Sequence, residues 1–118
     1  MTRFAQLVAA QEGFGKAGAT PTRDNNPGDL RHSPHSSHAG EDPNAIGEID
    51  TVADGWADLE RQLKLYAERG LTVGEAIAAF APPNENNTFG YLAFVVAGLG
   101  QGITADTPMG IALALEAV

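Results

Sequence analysis

The tight turn "DNNPGD" at residues 24–29 is the sequence feature that most constrains how this chain folds. Pro27 fixes its own backbone φ at about −65°, and Gly28 tolerates the positive φ that many tight turns require. Asparagine and aspartate favour such turns because their side chains bond to nearby backbone groups. A chain that reverses this sharply can open a β-hairpin. We therefore predict short strands at residues 29–33, "DLRHS", and at residues 45–50, "AIGEID", joined by a polar loop.

Helical patterns surround this hairpin. Residues 2–13, "TRFAQLVAAQEG", can start at a Thr2 cap and stop at Gly13. Residues 51–69, "TVADGWADLERQLKLYAER", carry apolar side chains at helical spacing and predict the clearest helix. The predicted fold class is α+β, mainly α, with a small β-hairpin inserted after the first helix. At 118 residues the chain is expected to form a single domain over residues 1–118.

Three more helices are predicted further along the chain. Thr72 and Glu75 make a capping box for the segment "VGEAIAAFA". Thr88 can cap the next segment, "FGYLAFVVAGLG", which is apolar nearly all round and is expected to be the buried central helix. The last helix, within "DTPMGIALALEAV", is expected to start from a cap at Asp106 or Thr107, with Pro108 near its first turn.

The charge and composition of the chain limit its partners. The net charge is −8 and the pI is about 4.6. Nucleic acids and anionic membranes both select clustered Lys and Arg, so neither is expected as a partner. The chain has no cysteine, which excludes disulfides, Cys-based zinc sites and a thiol nucleophile. We predict no cofactor. We also predict no secretory signal peptide, because no small-residue cleavage site follows an apolar core.

Glu12 is the candidate catalytic residue. It is expected in the last turn of the first helix, where the helix dipole disfavours a negative charge and raises a carboxyl pKa. Phe4 and Phe14 are close in sequence and could form an apolar wall beside it. A glutamate that stays protonated near neutral pH can donate a proton to a leaving oxygen. The alternative interpretation is a solvated carboxylate at a helix end.

Polar side chains of the turn and hairpin are candidate ligand contacts. Asn25, Asn26 and Asp29 offer amide and carboxylate groups to a polar ligand such as a sugar, or simply stabilise the turn. Glu48 and Asp50 are two residues apart and would share one face of a strand. Both carboxylates would then face a ligand bound against the hairpin.

The predicted hairpin also contains three histidines, His32, His35 and His38. Glu41 and Asp42 are nearby, and together these side chains are of types that bind zinc. The segment is rich in Ser, Gly and Pro, however, and has no rigid helix to orient the imidazole rings. We therefore predict a solvated loop and no metal site, and keep a metal-dependent amidase as an alternative.

The segments "QEGF", "NNPGDLR", "ADGWADLERQLKLY" and "RGLTVGEAIAAFAPPNENNTFGYLAFV" follow one another within residues 4–100. This order resembles the small lysozyme-like domains of phages and prophage-bearing bacteria, which are muramidases or lytic transglycosylases with an "NNPGNL" turn after a helix that ends in Glu. The resemblance implies a lysozyme-like fold and cleavage of the β-1,4 bond between N-acetylmuramic acid and N-acetylglucosamine. It places the catalytic acid at Glu12, the turn at residues 25–28, and a cleft-lining helix start at Asn87 and Tyr91.

The resemblance leaves two chemistries open. Hydrolysis commonly uses a second carboxylate, and the candidates are Asp24, Asp29, Glu48 and Asp50. A lytic transglycosylase needs only Glu12, first as acid and then as base. The resemblance also implies peptidoglycan glycan strands and other virion proteins as partners, and a location in a phage virion or in the host cytoplasm before release to the cell wall. A catalytically inactive peptidoglycan-binding or virion structural module on the same fold is the alternative.

Overall fold

The computed structural model describes residues 1–38, 46–84 and 86–117. Within these ranges the chain is mainly helical with one two-stranded antiparallel sheet, which confirms the α+β, mainly α class. The hairpin follows the first helix as predicted, with an unpredicted short helix between them. In chain order the elements are α1 (Arg3–Glu12), α2 (Thr20–Arg23), β1 (Ser36–His38), β2 (Gly47–Ile49), α3 (Val52–Glu68), α4 (Val73–Phe80), α5 (Thr88–Leu99) and α6 (Met109–Ala112).

The backbone divides into two compact units. One unit comprises Met1–Leu7 and Gln62–Val118, and the other comprises Val8–Arg61. Both boundaries fall inside helices, one in α1 and one in α3. The expectation of one domain over residues 1–118 stays a prediction.

The predicted ends of the first helix are confirmed. Thr2 Oγ1 accepts a hydrogen bond from the backbone N–H three residues on at 3.1 Å, so Thr2 caps α1. The helix ends at Glu12, and Gly13 follows with a φ of 89°, a conformation that favours glycine. The long helix α3 is also confirmed, and it ends at Glu68.

The first strand of the hairpin lies later in the sequence than predicted. Ser36–His38 pairs with Gly47–Ile49 in antiparallel register, and this second strand was predicted correctly. Residues 29–33, predicted as the first strand, form no strand, so that prediction is wrong. Asp29 has a φ of 52°, which is incompatible with extended backbone. The next residue, Leu30, donates its backbone N–H to Asn26 Oδ1 and accepts from Asn26 Nδ2 at its carbonyl.

The turn forms as predicted, but its positive φ values do not occur at Gly28, where the sequence suggested them. Asn25 and Asp29 have positive φ values of 54° and 52°, whereas Gly28 is not in the left-handed region. A Cβ at Gly28 would lie 2.8 Å from Leu59 Cδ1, so the Leu59 side chain would have to shift to admit another residue there. A Cβ at Gly55 would collide with the backbone oxygen of Asn25. The turn therefore packs closely against the first half of α3, and the glycine at position 55 makes this approach possible.

The unit that holds both chain ends has core side chains on the start of α1, the end of α3, and on α4, α5 and α6. The backbone N–H of Arg3 donates to the carbonyl of Leu115 at 3.0 Å, and that of Ala117 donates to the carbonyl of Met1 at 3.1 Å. The start of α1 is therefore paired with the segment that follows α6. The largest buried apolar side chains of this unit are Phe4, Leu63, Val73, Ile77, Val95, Leu99 and Met109.

The predicted cap of α4 is confirmed and that of α5 is not. The N–H of Thr72 donates to Glu75 Oε1 at 2.9 Å, and the N–H of Glu75 donates to Thr72 Oγ1 at 3.2 Å, so the capping box of α4 forms. The cap of α5 is Asn87, whose Oδ1 accepts from the N–H three residues on at 3.0 Å. The prediction of a Thr88 cap is wrong, because the Thr88 hydroxyl donates to the carbonyl of Ala81.

The prediction that α5 is a buried central helix is also wrong. Tyr91, Val95 and Leu99 recur every four residues and are at most 3% exposed. Phe89 is 82% exposed and Phe94 is 42% exposed. A helix without charged residues carries no polar stripe to mark its exposed side, so its sequence periodicity could not identify that side.

The last helix is shorter than predicted. Met109–Ala112 forms a single turn, and its N-cap is Pro108, which makes no side-chain cap bond. The predicted caps at Asp106 and Thr107 are therefore wrong. The Thr107 hydroxyl instead accepts a hydrogen bond from the N–H of Thr104 at 2.9 Å, so it stabilises the preceding turn.

Candidate functional site

An open depression beside the hairpin brings several of the predicted residues together. Asn25, Glu48 and Asp50 are predicted ligand contacts, and Asp24 is a candidate second carboxylate. The surface they share is mostly polar, which suits a ligand rich in hydroxyl and amide groups. The depression has a volume of about 400 Å³ and is lined by Arg23, Asp24, Asn25, Ser37, Glu48, Ile49 and Asp50.

The depression carries three carboxylates and one guanidinium group. The side chain of Asp24 is 5% exposed and that of Arg23 is 67% exposed. Arg23 Nε donates to Asp24 Oδ1 at 3.0 Å, and its Nη2 donates to Oδ2 at 3.3 Å. Because this ion pair occupies Asp24, the two exposed carboxylates, Glu48 and Asp50, are the ones that a ligand reaches first.

Asn25 links the turn to the end of β2. Its Nδ2 donates to the carbonyl of Ile49 at 2.9 Å and to that of Asp50 at 3.3 Å. Its backbone φ of 54° lies in the left-handed region, which asparagine tolerates better than most residues. The amide nitrogen is therefore used within the protein, and Oδ1 is the group that Asn25 can offer a ligand.

Asn26 has a structural role, which corrects its assignment as a substrate contact. Its side chain is 0% exposed. Its Nδ2 donates to the carbonyls of Leu30 and Gly47 at 2.7 and 2.9 Å, and its Oδ1 accepts from the N–H of Leu30 at 3.0 Å. A completely buried amide whose donors and acceptor are all used cannot contact a substrate. Asn26 instead fixes the turn to β2.

Asp29 lies partly buried at the end of the turn and does not line the depression. Its Oδ1 is buried and has no hydrogen-bond partner within the part of the chain that the structure describes. Burial raises the pKa of this carboxyl, and the charge of Asp24 raises it further, against an opposing effect of Arg31. Asp29 therefore binds a proton more readily than a solvated carboxylate does, a property shared by catalytic acids and by constrained turn residues.

Glu12 occupies the position predicted for it, at the last residue of α1. Its side chain is partly buried, and it does not line the depression. The Phe14 ring packs edge to face against Trp56, with ring centroids 5.4 Å apart. Phe4 is completely buried about two helical turns earlier on α1. The apolar wall expected beside Glu12 stays a prediction. Glu12 and the depression are thus distinct features of the Val8–Arg61 unit.

The other two predicted contacts, Asn87 and Tyr91, belong to the unit that contains α5. Asn87 is exposed at the surface while its Oδ1 caps the helix. Tyr91 is 3% exposed, and its ring packs edge to face against Phe80 with centroids 6.3 Å apart. The Tyr91 ring is therefore a core side chain, and a contact with a ligand would have to involve its hydroxyl.

A hydrogen-bonded cluster around Asp58 was not predicted from the sequence. Asp58 lies on α3 and is 2% exposed. Its Oδ2 accepts from the Ser33 hydroxyl at 2.6 Å and from the backbone N–H of His35 at 2.9 Å. Its Oδ1 lies 2.6 Å from His35 Nδ1, and the His35 side chain is 49% exposed. Asp58 therefore holds the segment that leads into β1 against α3.

These contacts change the protonation of both partners. Burial alone would raise the pKa of Asp58, but the hydrogen bonds from Ser33 and His35 outweigh burial and lower the pKa. The hydrogen bond to Asp58 raises the pKa of His35, and the charges of Asp58 and Asp54 act in the same direction. The sequence signal for the cluster was a carboxylate next to the apolar stripe of α3, because a buried charge needs partners.

The structure places His35 beside two aspartates of α3, an arrangement that the hypothesis of a histidine metal site did not include. His35 bonds to Asp58, and its Nε2 lies 3.9 Å from Asp54 Oδ1. His32 is exposed. Glu41 and Asp42 lie outside the described residues. Among the residues that are described, no group of three or more His, Asp or Glu side chains could hold a metal ion.

Comparison with protein-family models, with curated proteins and with solved structures gave no match. No helix in the described ranges has both the length and the apolar composition needed to cross a membrane.

Proposed function

We propose that this protein is a peptidoglycan glycosidase of lysozyme-like fold, with Glu12 as its general acid. The observation that carries the proposal is the order of features within one compact unit, where Glu12 ends α1 and the asparagine turn and the hairpin follow. The resembled phage domains carry their catalytic glutamate, turn and hairpin in this order. A mainly helical fold with one inserted hairpin supports the same assignment.

The bonding of the turn supports a glycan-binding surface at the hairpin. Asn26 holds the turn against Gly47 of β2, and Asn25 holds it against Ile49 at the end of β2 and against Asp50. These bonds therefore hold in place the hairpin backbone that carries the polar side chains of the depression, which include Ser37 and Glu48. A site with fixed hydrogen-bonding groups loses less entropy when it binds a sugar chain.

The proposed reaction begins with proton transfer from Glu12 to the glycosidic oxygen as the bond from the sugar carbon to that oxygen breaks. In hydrolysis, water attacks the sugar carbon and a second carboxylate accepts the proton of that water. Glu48 and Asp50 are the exposed carboxylates of the depression, whereas Asp24 is paired with Arg23. We therefore propose Glu48 or Asp50 for the second role if the protein is a hydrolase.

In a lytic transglycosylase, a hydroxyl group of the same sugar replaces the water. It attacks the sugar carbon and leaves an anhydro end, and the deprotonated Glu12 accepts the hydroxyl proton. This route uses no second carboxylate. Both routes share Glu12 as the acid of the first step, so Glu12 is the residue on which the proposal depends.

A second candidate function is a peptidoglycan-binding or virion structural module without catalysis. It is favoured by one observation, that the polar depression is not lined by Glu12. Such a module would bind glycan strands through Asn25, Ser37 and Glu48 without transferring a proton.

The identity of the products tests the proposal. Purified peptidoglycan sacculi are incubated with the wild-type protein and with Glu12→Gln between pH 4 and pH 8, and soluble products are analysed by mass spectrometry. We expect muropeptides from the wild-type protein only. Reducing ends identify a hydrolase, and anhydro ends identify a transglycosylase.

Sacculus binding separates the two candidate functions. Binding without soluble products from the folded wild-type protein at every pH would contradict the glycosidase and support the binding module. Binding retained by Glu12→Gln, together with products from the wild-type protein alone, would support the glycosidase.

A further inference from the structure

We propose that His35 Nε2 and the Asp54 carboxylate form a binding site for one divalent transition-metal ion such as Zn²⁺, with His35 positioned by buried Asp58. The site is independent of the glycosidase proposal. It uses neither Glu12 nor any residue that lines the depression. The sequence analysis predicted no metal site, and the alternative kept there used His32, His35 and His38.

The first argument is the orientation of the His35 ring. Asp58 Oδ1 lies 2.6 Å from His35 Nδ1, and the Asp58 side chain is 1% exposed. A buried carboxylate at this distance accepts the proton of Nδ1, so it is Nε2 that loses its proton and presents a lone pair when a metal ion binds. Histidines that bind metals nearly always donate their other ring N–H to a carboxylate or carbonyl group in this way.

The second argument is the fixed position of Asp58 itself. Its other oxygen, Oδ2, accepts hydrogen bonds from the Ser33 hydroxyl at 2.6 Å and from the His35 backbone N–H at 2.9 Å. The carboxylate therefore cannot turn away from the ring without losing these bonds. Such support for a ligand typically changes metal affinity about 10–100-fold.

The third argument is the distance between the two proposed ligands. His35 Nε2 and Asp54 Oδ1 are 3.9 Å apart, and their side chains are 49% and 44% exposed. Two ligand atoms that each lie about 2.1 Å from a tetrahedral zinc ion are separated by about 3.4 Å. The half-exposed Asp54 side chain can rotate to close the gap of a few tenths of an ångström, while the bond to Asp58 keeps the His35 ring in place.

The protein supplies two ligands, and water completes the coordination. No group of three or more possible ligands occurs among the described side chains, so the site is expected to be weaker than a structural zinc site. The charged groups that face His35 are Asp54 and Asp58, both on α3. Protons compete with the metal for His35 Nε2, so metal affinity is expected to fall as the pH is lowered.

The test is titration of the full chain with Zn²⁺ alone, followed by calorimetry and by NMR of the histidine ring protons. We expect one equivalent to bind, with the largest chemical-shift changes on the His35 ring. His35→Ala and Asp54→Asn should each weaken binding at least 10-fold. The neighbouring exposed histidine provides the matched control, and His32→Ala should bind as the wild-type protein does.

The role of Asp58 is tested by the pH dependence of the affinity. Asp58→Asn should weaken Zn²⁺ binding about 10-fold and shift its pH profile, because the ring loses its carboxylate partner. Asp54→Asn changes an exposed side chain and keeps the proposal testable if Asp58→Asn does not fold. Absence of saturable binding, or equal loss in His32→Ala and His35→Ala, would overturn the proposal.

Discussion

At the scale of single residues, Asn26 does the most to fix the turn against the hairpin. Asn26→Ala removes three hydrogen bonds and leaves buried backbone groups of Leu30 and Gly47 with fewer partners. We expect the free energy of unfolding to fall by about 2–4 kcal/mol, as measured by urea denaturation. The control Asn84→Ala, at an exposed position, should change it by less than about 0.5 kcal/mol. Equal stability of the two variants would contradict the structural role of Asn26.

The same residues show how far a local sequence can predict structure. The sequence predicted that residues 24–29 turn, because Pro, Gly, Asn and Asp have strong local preferences. It did not predict the close approach of Leu59, which is distant in sequence, to Gly28. Asp58 was missed for a similar reason, because its partners Ser33 and His35 lie 25 and 23 residues away.

At the scale of elements, the capping box of α4 predicts a dependence of stability on pH. Hydrogen bonds from the backbone and then the hydroxyl of Thr72 lower the pKa of Glu75 below its ordinary value of 4.5. A lowered carboxyl pKa stabilises the fold above the unfolded pKa, and this stability is lost as the pH falls through the folded pKa. Glu75→Gln keeps a capping side chain but removes this titration.

The expected result is a stability difference between the wild-type protein and Glu75→Gln that is largest above pH 5 and disappears near pH 2. Thermal unfolding followed across this pH range measures it. A difference that stays constant with pH would show that the charge of Glu75 does not contribute. Glu68→Gln is the control, since Glu68 is exposed at the end of α3.

The two faces of α5 predict opposite responses to truncation. Leu99 is 1% exposed and Phe89 is 82% exposed. Leu99→Ala should therefore cost about 2–5 kcal/mol of unfolding free energy, whereas Phe89→Ala should cost less than about 0.5 kcal/mol despite removing the larger side chain. Urea denaturation of both variants measures the difference. A larger loss in Phe89→Ala would contradict the burial pattern of this helix.

Helices whose ends have local caps were the elements predicted best. Thr2 and Thr72 make the cap bonds that their sequence positions indicated. The predicted position of the first strand was wrong because its start depends on the positive φ of Asp29 and on the hydrogen bonds of Asn26. The spacing of apolar residues in the sequence shows neither of them. In the candidate site, Asn25, Glu48 and Asp50 could be predicted from the turn and the strand pattern, whereas the involvement of Arg23 required the fold.

At the scale of the whole molecule, the net charge of −8 predicts how the proposed enzyme responds to salt. Bacterial cell walls are anionic, so the protein and its proposed substrate repel each other at low ionic strength. Raising NaCl from about 10 to 150 mM shortens the screening length from roughly 30 to 8 Å. The initial rate of sacculus digestion at pH 6–7 should therefore rise over this range. A rate that falls as salt is added would contradict repulsion between protein and wall.

The most direct test of the account is the initial rate of dye release from labelled sacculi by three proteins: wild type, Glu12→Gln and Glu68→Gln. Glu12 and Glu68 are each the last residue of a helix, so Glu68→Gln controls for loss of a charge at such a position. We expect the rate to fall at least about 100-fold in Glu12→Gln, as for loss of a general acid, and to stay near the wild-type rate in Glu68→Gln. Active wild-type protein with an equally active Glu12→Gln would contradict the assignment of Glu12 as the catalytic acid.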